Sequence, residues 1–295
     1  MGAFLEKPKT EKTTAQGEGC GIRYGVSAMQ GWRMEMEDAH VCQTNFELKD
    51  YGFFGVFDGH AGPKVSQYCS QHLLDCILEC LHQQKSKDVT ENHVKKAIND
   101  GFLHLDEKLR KEPQWANGED RSGTTAIVVM VSPQKIIWGN CGDSRGILCR
   151  NGKVVFSTQD HKPYNQTERD RIEKAGGTVM MQRVNGSLAV SRALGDFDYK
   201  RASDLMPSEQ LVSPVPEITI QDRDPTSDEF LLLACDGIFD VMSNEDVVGY
   251  VSHRLELTDD LAQVCSDLID TCLNKVPMLS VWWVCTCAWF PLKSP

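Results

Sequence analysis

A short stretch near the start of the chain decides the fold: residues 53–60 read Phe53-Phe54-Gly55-Val56-Phe57-Asp58-Gly59-His60. A continuous apolar run predicts a β-strand that is buried on both faces, and the polar residues that follow predict its end. Residues 230–235 repeat this pattern and stop at Asp236-Gly237. Strand ends are rigid, and glycine lets an ion or a water approach the backbone closely. The two aspartates are therefore expected to present oxygen ligands at sheet ends.

Helical and strand patterns cover much of the remaining chain. Apolar residues recur every three or four positions, as in helices that pack one face on a sheet, over residues 65–81, 94–109 and 261–272. Alternating or continuous apolar runs predict further strands at residues 22–29, 39–46, 124–131 and 135–140. Asn151-Gly152 predicts a hairpin turn, because both residue types tolerate positive φ. Ser243 and Asp246 form an acidic variant of the capping box, which predicts the start of a helix.

The charge balance limits the partners of this chain. Its 295 residues include 31 basic and 42 acidic side chains, and the net charge of −11 has the wrong sign for a general nucleic-acid binder. An anionic substrate therefore needs a locally positive site, which metal ions held by carboxylates would provide. The twelve cysteines follow no repeating frame and no secretory signal precedes them, so reduced thiols in the cytosol or nucleus are expected.

Further carboxylates add to those at the two strand ends. Glu37-Asp38 and Asp143 join Asp58 and Asp236 as oxygen ligands that suit Mg²⁺ or Mn²⁺, and the sequence offers no cluster of softer ligands that would favour zinc. The alternative interpretation is that each Asp-Gly pair only makes the turn that follows a strand. Residue types alone leave both interpretations open.

One predicted helix carries residues that could be drawn as a zinc site. His72, Cys76 and Cys80 are spaced four residues apart, so they would lie on one helix face. The same face carries Leu73 and Ile77, and cysteine is a common core residue. The pattern therefore predicts core packing at these three positions.

Five motifs together carry a family resemblance. They read Gly31-Trp32-Arg33-Met34-Glu35-Met36-Glu37-Asp38, Phe57-Asp58-Gly59-His60-Ala61-Gly62, Asn140-Cys141-Gly142-Asp143-Ser144-Arg145, Val190-Ser191-Arg192-Ala193-Leu194-Gly195-Asp196 and Ala234-Cys235-Asp236-Gly237. In order and spacing the chain resembles the metal-dependent protein Ser/Thr phosphatases of type 2C, in particular the alpha and beta isoforms of animals. The similarity extends from about residue 2 to about Lys275.

The resemblance implies a fold and a domain organisation. The fold is α+β, an antiparallel β-sandwich flanked by helices on both sides in α-β-β-α layers. Residues 1–19 are polar and are expected to form a flexible N-terminal tail. Residues 20–275 would form the catalytic domain, and residues 276–295 a divergent hydrophobic C-terminal tail.

The resemblance also implies a binuclear Mg²⁺ or Mn²⁺ site at one end of the sandwich. By matching positions, Asp58 would bridge both ions, Glu37 and the Gly59 carbonyl would serve one, and Asp236 would serve the other. Asp143 would help Asp236 to hold a weaker third ion. A metal-activated water would then attack phosphorus, so no Ser or Cys nucleophile is expected.

Two basic residues are assigned to the substrate by the same resemblance. Arg33 matches the arginine that grips phosphate, and its planar fork suits two phosphate oxygens. His60 matches the candidate general acid that protonates the leaving seryl or threonyl oxygen. Arg183 is a candidate for steering phosphopeptides. Asp160-His161-Lys162-Pro163 is expected to shape the substrate-facing flap rather than to touch metal.

The family pattern breaks near the C-terminus. Relatives continue with a Gly-Ser-Arg-Asp-Asn-like turn, whose Asp is a further metal ligand, and then a closing strand. This chain reads Asn274-Lys275-Val276-Pro277-Met278-Leu279-Ser280, and no acidic residue follows Asp270. The closing strand is therefore expected to be missing or replaced, with the sheet edge bare or covered by residues 281–284. Loss of the ligand predicts weakened metal binding and impaired activity.

Two functions follow from these observations. The first is an Mg²⁺/Mn²⁺-dependent protein phosphatase that acts on phosphoserine and phosphothreonine, impaired by the lost ligand. The second is a catalytically weak isoform that regulates by binding phosphoproteins or partners. We expect the protein to be a monomer that takes part in signalling and does not bind nucleic acid. We expect it in the cytoplasm and also in the nucleus. Membrane contact would come only through N-myristoylation at Gly2 of the Met1-Gly2 opening.

Overall fold

The computed structural model describes residues 4–84, 89–275 and 283–289. The helices are α1 (Lys64–Gln83), α2 (Glu91–Lys111), α3 (Pro113–Ala116), α4 (Gln166–Lys174), α5 (Asp236–Phe239), α6 (Asn244–Leu257) and α7 (Leu261–Lys275). The strands are β1 (Phe4–Gly19), β2 (Ile22–Arg33), β3 (Ala39–Gln43), β4 (Gly52–Phe57), β5 (Gly59–His60), β6 (Gly123–Thr124), β7 (Ala126–Val131), β8 (Lys135–Cys141), β9 (Arg145–Arg150), β10 (Lys153–Ser157), β11 (Val179–Met180), β12 (Arg183–Val184), β13 (Leu194–Gly195), β14 (Glu217–Asp222), β15 (Asp228–Ala234) and β16 (Trp283–Trp289).

Two antiparallel sheets form the centre of the molecule. One has six strands in the order β1-β2-β16-β15-β9-β10, and the other has five in the order β14-β8-β7-β4-β3. Helices α1 and α2 cover the five-stranded sheet, and α6 and α7 cover the six-stranded sheet. The predicted α-β-β-α layers of an α+β fold are therefore present.

The side chains of β4 explain why its sequence is apolar throughout. Phe53 and Phe57 pack under the helices, whereas Phe54 and Val56 pack in the layer between the two sheets. Strand β15 divides its residues in the same way, with Leu231 and Leu233 between the sheets. A strand covered on both faces has no position left for a polar residue, so the periodicity of a half-exposed strand disappears.

The prediction of a flexible tail at residues 1–19 was wrong for the part that is described. Residues 4–19 form β1, which pairs with β2 without interruption from Lys12 to Gly19 and with register shifts before Lys12. Cys20 and Gly21 link the two strands with φ of 53° and 69°, which is the geometry of a two-residue hairpin turn. The strand was missed because it is an edge strand, where Lys, Glu and Thr replace apolar residues and protect against pairing with another chain.

The C-terminal strand is replaced rather than missing. β16 lies in the interior of the six-stranded sheet and pairs with β2 on one side and β15 on the other. The expectation of a bare edge was therefore wrong, and Trp283 and Val284, two of the residues expected to cover that edge, instead begin an interior strand. The reason is that a β-branched and aromatic segment can satisfy the ladder hydrogen bonds of two neighbours whatever its family-specific sequence.

Some predictions fall outside the described residues. These are the acylation site at Met1-Gly2 and residues 276–282 and 290–295 of the C-terminal tail. Within the described ranges, no helix combines the length and the apolar character needed to cross a bilayer.

Candidate metal and phosphate centre

The two strand ends named by the sequence meet at one cleft. Asp58 and Gly59 follow β4, and Asp236 follows β15 as the first residue of α5. Together with Asp143, they line a cavity of about 350 Å³. The cavity wall also contains the predicted substrate residues Arg33, His60 and Arg183. Seven of the eight residues that the sequence singled out therefore share one space.

Glu37, the eighth residue, lies in the segment between β2 and β3. Its carboxylate accepts a hydrogen bond from the Gly62 backbone N–H at 2.6 Å. Burial raises the pKa of Glu37, although this hydrogen bond and the charge of Arg33 oppose the shift. The Glu37 carbonyl oxygen would lie only 2.2 Å from a Cβ at residue 59. The strand end can therefore pack against this segment only with glycine at that position.

The carboxylates of the cleft repel one another. Burial raises the pKa of Asp58 well above its usual range, and the charges of Asp38 and Asp143 raise it further. Burial likewise raises the pKa of Asp236, with added repulsion from Asp58 and Asp143. Like charges held together away from water need a cation to remain ionised.

Asp38 gives an independent indication of a cation. Both of its carboxylate oxygens are buried without a hydrogen-bond partner of normal geometry, although the Cys235 thiol is close enough to lower its pKa against the effect of burial. A buried carboxylate in this state is costly unless an ion compensates it. Among the described residues, no three cleft carboxylates bring their oxygens within 4.8 Å of one another.

His60 has a partner that the sequence reading did not assign. Its Nε2 lies 2.7 Å from Oδ2 of Asp196. Burial alone would lower the pKa of His60, but the Asp196 carboxylate outweighs burial and raises it. A Cβ at Gly123 would lie 2.2 Å from the same Asp196 oxygen, so glycine leaves room for the pair. Asp196 is the last residue of the motif Val190–Asp196, but no local pattern connects it to a histidine 136 residues away.

The charge of Asp143 is balanced by Lys162, a residue that the sequence did not predict as its partner. Lys162 Nζ donates to Asp143 Oδ2 at 2.5 Å. Burial disfavours the charged lysine, but Asp143 outweighs burial and raises the pKa of Lys162. His161, next to it, is buried and accepts a hydrogen bond from the Gly142 backbone N–H at 3.2 Å. The predicted flap segment at 160–163 therefore also contacts the acidic cluster.

Two more side chains, Asp240 and Thr125, line the cavity although the sequence did not predict them as site residues. Asp240 lies four residues after Asp236, at the end of α5. Burial raises the pKa of Asp240 and the charge of Lys162 lowers it. Thr125 places its hydroxyl 2.7 Å from that of Ser144, next to Asp143. Asp240 could have been predicted from the sequence, because its i, i+4 spacing from Asp236 places both carboxylates on the same face of a helix.

Arg183 lies on the rim. It belongs to the β11–β12 hairpin, and its Nη1 donates to the Ser187 carbonyl at 2.7 Å. Met181 and Gln182 turn this hairpin at positive φ of 50° and 62°, and Met181 is 91% exposed. The hairpin therefore presents one cation toward the cleft and one apolar side chain to solvent.

A buried ion-pair cluster fixes the loop that carries the fourth motif. Glu168 on α4 accepts from Arg192 Nη2 at 2.7 Å, from Ser191 Oγ at 2.7 Å and from Arg171 Nη1 at 2.5 Å. Burial alone would raise the pKa of Glu168, but Arg192 and Arg171 lower it to about 2. Arg192 is thus a structural residue that ties the motif to α4.

Glu168→Gln is expected to reduce stability in a way that depends on pH. A carboxyl with a lowered folded-state pKa stabilises the protein above its unfolded pKa, and loses this effect as pH falls toward the folded value of about 2. The difference in free energy of unfolding from wild type should be about 3 kcal/mol near neutral pH and should shrink between roughly pH 4.5 and pH 2. Urea unfolding across this range measures it, with exposed Glu173→Gln on the same helix as the control. A difference that stays constant with pH would contradict the assignment.

The fold and the cleft together define a class of protein. Two packed antiparallel sheets with clustered carboxylates at the strand ends, beside an arginine and a histidine, suit metal-dependent hydrolysis of phosphate esters. The family model for protein phosphatase 2C matches residues 22–276, and the chain therefore belongs to the protein phosphatase 2C family. This membership confirms the resemblance found in the sequence.

Named relatives agree with the family. The chain is 55% identical to protein phosphatase 1A of Homo sapiens over 278 residues, which cover 93% of this chain and 73% of the relative. It is 56% identical to protein phosphatase 1B of Rattus norvegicus over 283 residues, with 93% and 72% coverage. The crystal structure of a Toxoplasma gondii phosphatase superimposes with a TM-score of 0.79 at 26% identity, covering 95% of this chain and 96% of that one. The chain is a metal-dependent protein serine/threonine phosphatase, and the family requirement is for Mg²⁺ or Mn²⁺.

Proposed function

We propose that this chain hydrolyses phosphoserine and phosphothreonine on proteins at the cleft between the strand ends, with a binuclear Mg²⁺ or Mn²⁺ centre. The observation that supports this most strongly is the shared cavity of Asp58, Asp143 and Asp236 with Arg33 and His60. It combines oxygen ligands for hard cations with cationic groups for a phosphate. A binding protein without catalysis would not need the buried, mutually repelling carboxylates.

Four groups would hold the two ions: the carboxylates of Glu37, Asp58 and Asp236 and the carbonyl of Gly59. When bound, the ions supply an acidified water and neutralise phosphate charge. The chain contributes the rigid strand ends that orient these ligands and the close packing at Gly59. Asp38, whose oxygens have no hydrogen-bond partner of normal geometry, would orient waters around the ions.

A weaker third ion would involve Asp236 together with Asp143 or Asp240. Asp143 is paired with Lys162, so this ion would have to compete with an ammonium group. Asp240 lines the same cavity and offers a further carboxylate. Strand β16 contains no acidic residue, so within residues 283–289 nothing replaces the family ligand that the sequence lacks. We expect weaker metal binding than in relatives as a result.

Arg33 and His60 would act on the substrate. Arg33 ends β2 at the cavity wall, where its guanidinium can hold two phosphate oxygens. His60 is oriented by Asp196 and can donate a proton to the leaving oxygen. Arg183 would attract the negative charges of a phosphopeptide from the rim. We also propose that the protein is a monomer that acts in signalling in the cytoplasm and nucleus. Acylation at Gly2 would provide its membrane contact.

The test is phosphatase activity on a phosphothreonine peptide, measured across a Mn²⁺ titration in wild type and Arg33→Ala. Wild-type activity should rise from a negligible metal-free level and saturate. Arg33→Ala should raise KM about 10–100-fold, because a charge-assisted bond to phosphate is lost, with little change in the half-saturating Mn²⁺ concentration.

Arg33→Lys serves as the matched variant, since it keeps the charge and loses the fork, and should have an intermediate KM. Metal-independent activity would refute the proposed function. An unchanged KM with weakened Mn²⁺ binding would instead mean that Arg33 supports the carboxylates.

A further inference from the structure

A second group of metal-ligand side chains lies between α1 and α2. Cys76 and Glu79 are three residues apart on α1, and His104 faces them from α2. One donor atom from each lies within 4.8 Å of the other two. In the part of the chain that the structure describes, this is the one group of three such donors that close to one another.

The contacts within the group are specific. His104 Nε2 lies 3.3 Å from Glu79 Oε2, and Lys108 Nζ lies 2.9 Å from the same oxygen. Lys108 Nζ also lies 3.6 Å from Cys76 Sγ. The helical spacing predicted core packing for Cys76, together with His72 and Cys80. Cys76 is indeed buried, but its sulfur faces these polar groups at the open side of the core.

We infer that Cys76, Glu79 and His104 form a binding site for Zn²⁺ or a similar borderline-soft divalent ion. One thiolate, one imidazole and one carboxylate match the ligands that proteins use for zinc, whereas Mg²⁺ and Mn²⁺ select oxygen ligands. Three protein ligands leave one coordination position for water. Thiol, imidazole and carboxylate come from two different elements, so their convergence is not a consequence of helix periodicity alone.

The site is remote from the phosphatase cleft and does not depend on its proposed chemistry. Helix α1 begins at Lys64, beside the cleft segment, and Cys76 lies twelve residues further along it. At 1.5 Å per residue the separation along the axis is about 18 Å. The cleft supplies hard oxygen ligands, so excess Mg²⁺ would fill the cleft and leave the helix site free for a softer ion.

Lys108 is the natural competitor of the ion. Its ammonium contacts both Glu79 and Cys76, which is the position that a cation would take between the same groups. Burial raises the pKa of Cys76 to about 11, so the thiol is protonated in the free protein and a metal must displace that proton. Lys108 is partly exposed and can turn toward solvent when the ion enters.

Binding would join the two helices that cover the five-stranded sheet. The core beneath them includes Leu73, Ile77, Leu105 and Phe102. An ion that binds only the folded protein stabilises it according to its concentration relative to Kd. A rise in Tm with added Zn²⁺, in the presence of Mg²⁺, is therefore the expected consequence for the whole chain.

The test uses Co²⁺ as a spectroscopic probe with the full chain in excess Mg²⁺. Wild type should bind one Co²⁺ with a thiolate-to-cobalt charge-transfer band and visible tetrahedral bands, and added Zn²⁺ should displace it. Cys76→Ser should lose the charge-transfer band. His104→Gln, which changes a partly exposed residue, should weaken binding by at least about 10-fold. Lys108→Met should tighten it, because the competing ammonium is gone.

Cys80→Ser is the matched control, because Cys80 lies one turn further along α1 and outside the donor group. It should leave the Co²⁺ spectrum unchanged. The inference is overturned if wild type shows no thiolate band, if the band survives in Cys76→Ser, or if Cys80→Ser removes it. If Cys76→Ser fails to fold, an unchanged affinity in His104→Gln and Lys108→Met overturns it as well. None of these readouts measures phosphatase activity, so they do not depend on the proposed function.

Discussion

Asp58→Asn and Asp236→Asn are each expected to reduce kcat/KM for a phosphothreonine peptide at least ~100-fold while leaving the metal-free chain folded. Even a change next to a metal ligand typically costs about 10–100-fold in affinity or activity, and these residues are placed as ligands themselves. Asparagine has nearly the same shape but removes the charge that the cation needs. The same change relieves the repulsion that raises the pKa of both aspartates.

The two effects give a combined signature. Without metal, Tm of each variant should equal or exceed that of wild type, because a buried charge repulsion has been removed. With Mn²⁺, the increase in Tm that wild type shows should be lost or much smaller, since the ion no longer favours the folded state as strongly. Activity assays, circular dichroism and thermal unfolding with and without Mn²⁺ measure these quantities.

Asp222→Asn is the control for that pair. Asp222 ends β14 on the surface, where it forms an exposed ion pair with Lys135. Its replacement should change neither activity nor the Mn²⁺ effect. Near wild-type turnover in both cleft variants, with folding confirmed, would show that these carboxylates do not hold the metal.

Thr286→Pro is expected to cause the largest loss of stability. Thr286 is buried in β16 and lies opposite Val26 of β2 and Leu233 of β15. Proline removes a backbone donor and does not fit the middle of a sheet, and a ladder carbonyl left buried without its partner adds about 1–3 kcal/mol to the steric cost. Tm and the urea midpoint should fall, or the chain should become insoluble on expression.

Thr286→Val separates the backbone effect from the side chain. The Thr286 hydroxyl is buried without a hydrogen-bond partner of normal geometry, so an apolar side chain of similar shape should be neutral or mildly stabilising. If Thr286→Pro unfolds at the same urea concentration as wild type, residues 283–289 cannot occupy the interior of the sheet. The same result would restore the sequence-based expectation of a missing closing strand.

The cleft shows which site residues could be predicted from the sequence and which could not. Asp58 and Asp236 were found because each ends a fully apolar strand, and Glu37 and Asp143 were named as further oxygen ligands. The resemblance then added Arg33 and His60 by matching positions, and Arg183 was named as a candidate for steering phosphopeptides. Asp196 and Lys162 received no such role, although they contact His60 and Asp143. A polar side chain in a loop has no periodicity that indicates its partner, so these two pairs could not be predicted from the sequence.

The chain ends show the opposite case, in which local sequence misled. Residues 4–19 have the polar composition of a tail, yet the two-residue turn at Cys20-Gly21 folds them back onto β2. Residues 283–289 lack the family pattern, yet β2 and β15 leave unpaired ladder groups that this segment satisfies. In both places the backbone hydrogen bonds of a neighbouring strand decided the outcome.

By itself, the sequence determined the elements and the chemistry of the strand ends. Burial on both faces makes β4 and β15 apolar throughout, amphipathic spacing marks α1, α2 and α7, and the Asp-Gly pairs place carboxylates directly after the strands. The tertiary structure alone decided which strands pair, which residues position His60 and Asp143, and how Cys76, Glu79 and His104 meet between two helices. The physical reason is that element type depends on residues close together in the chain. Pairing depends on hydrogen bonds and charges that are satisfied only between segments that are far apart in sequence.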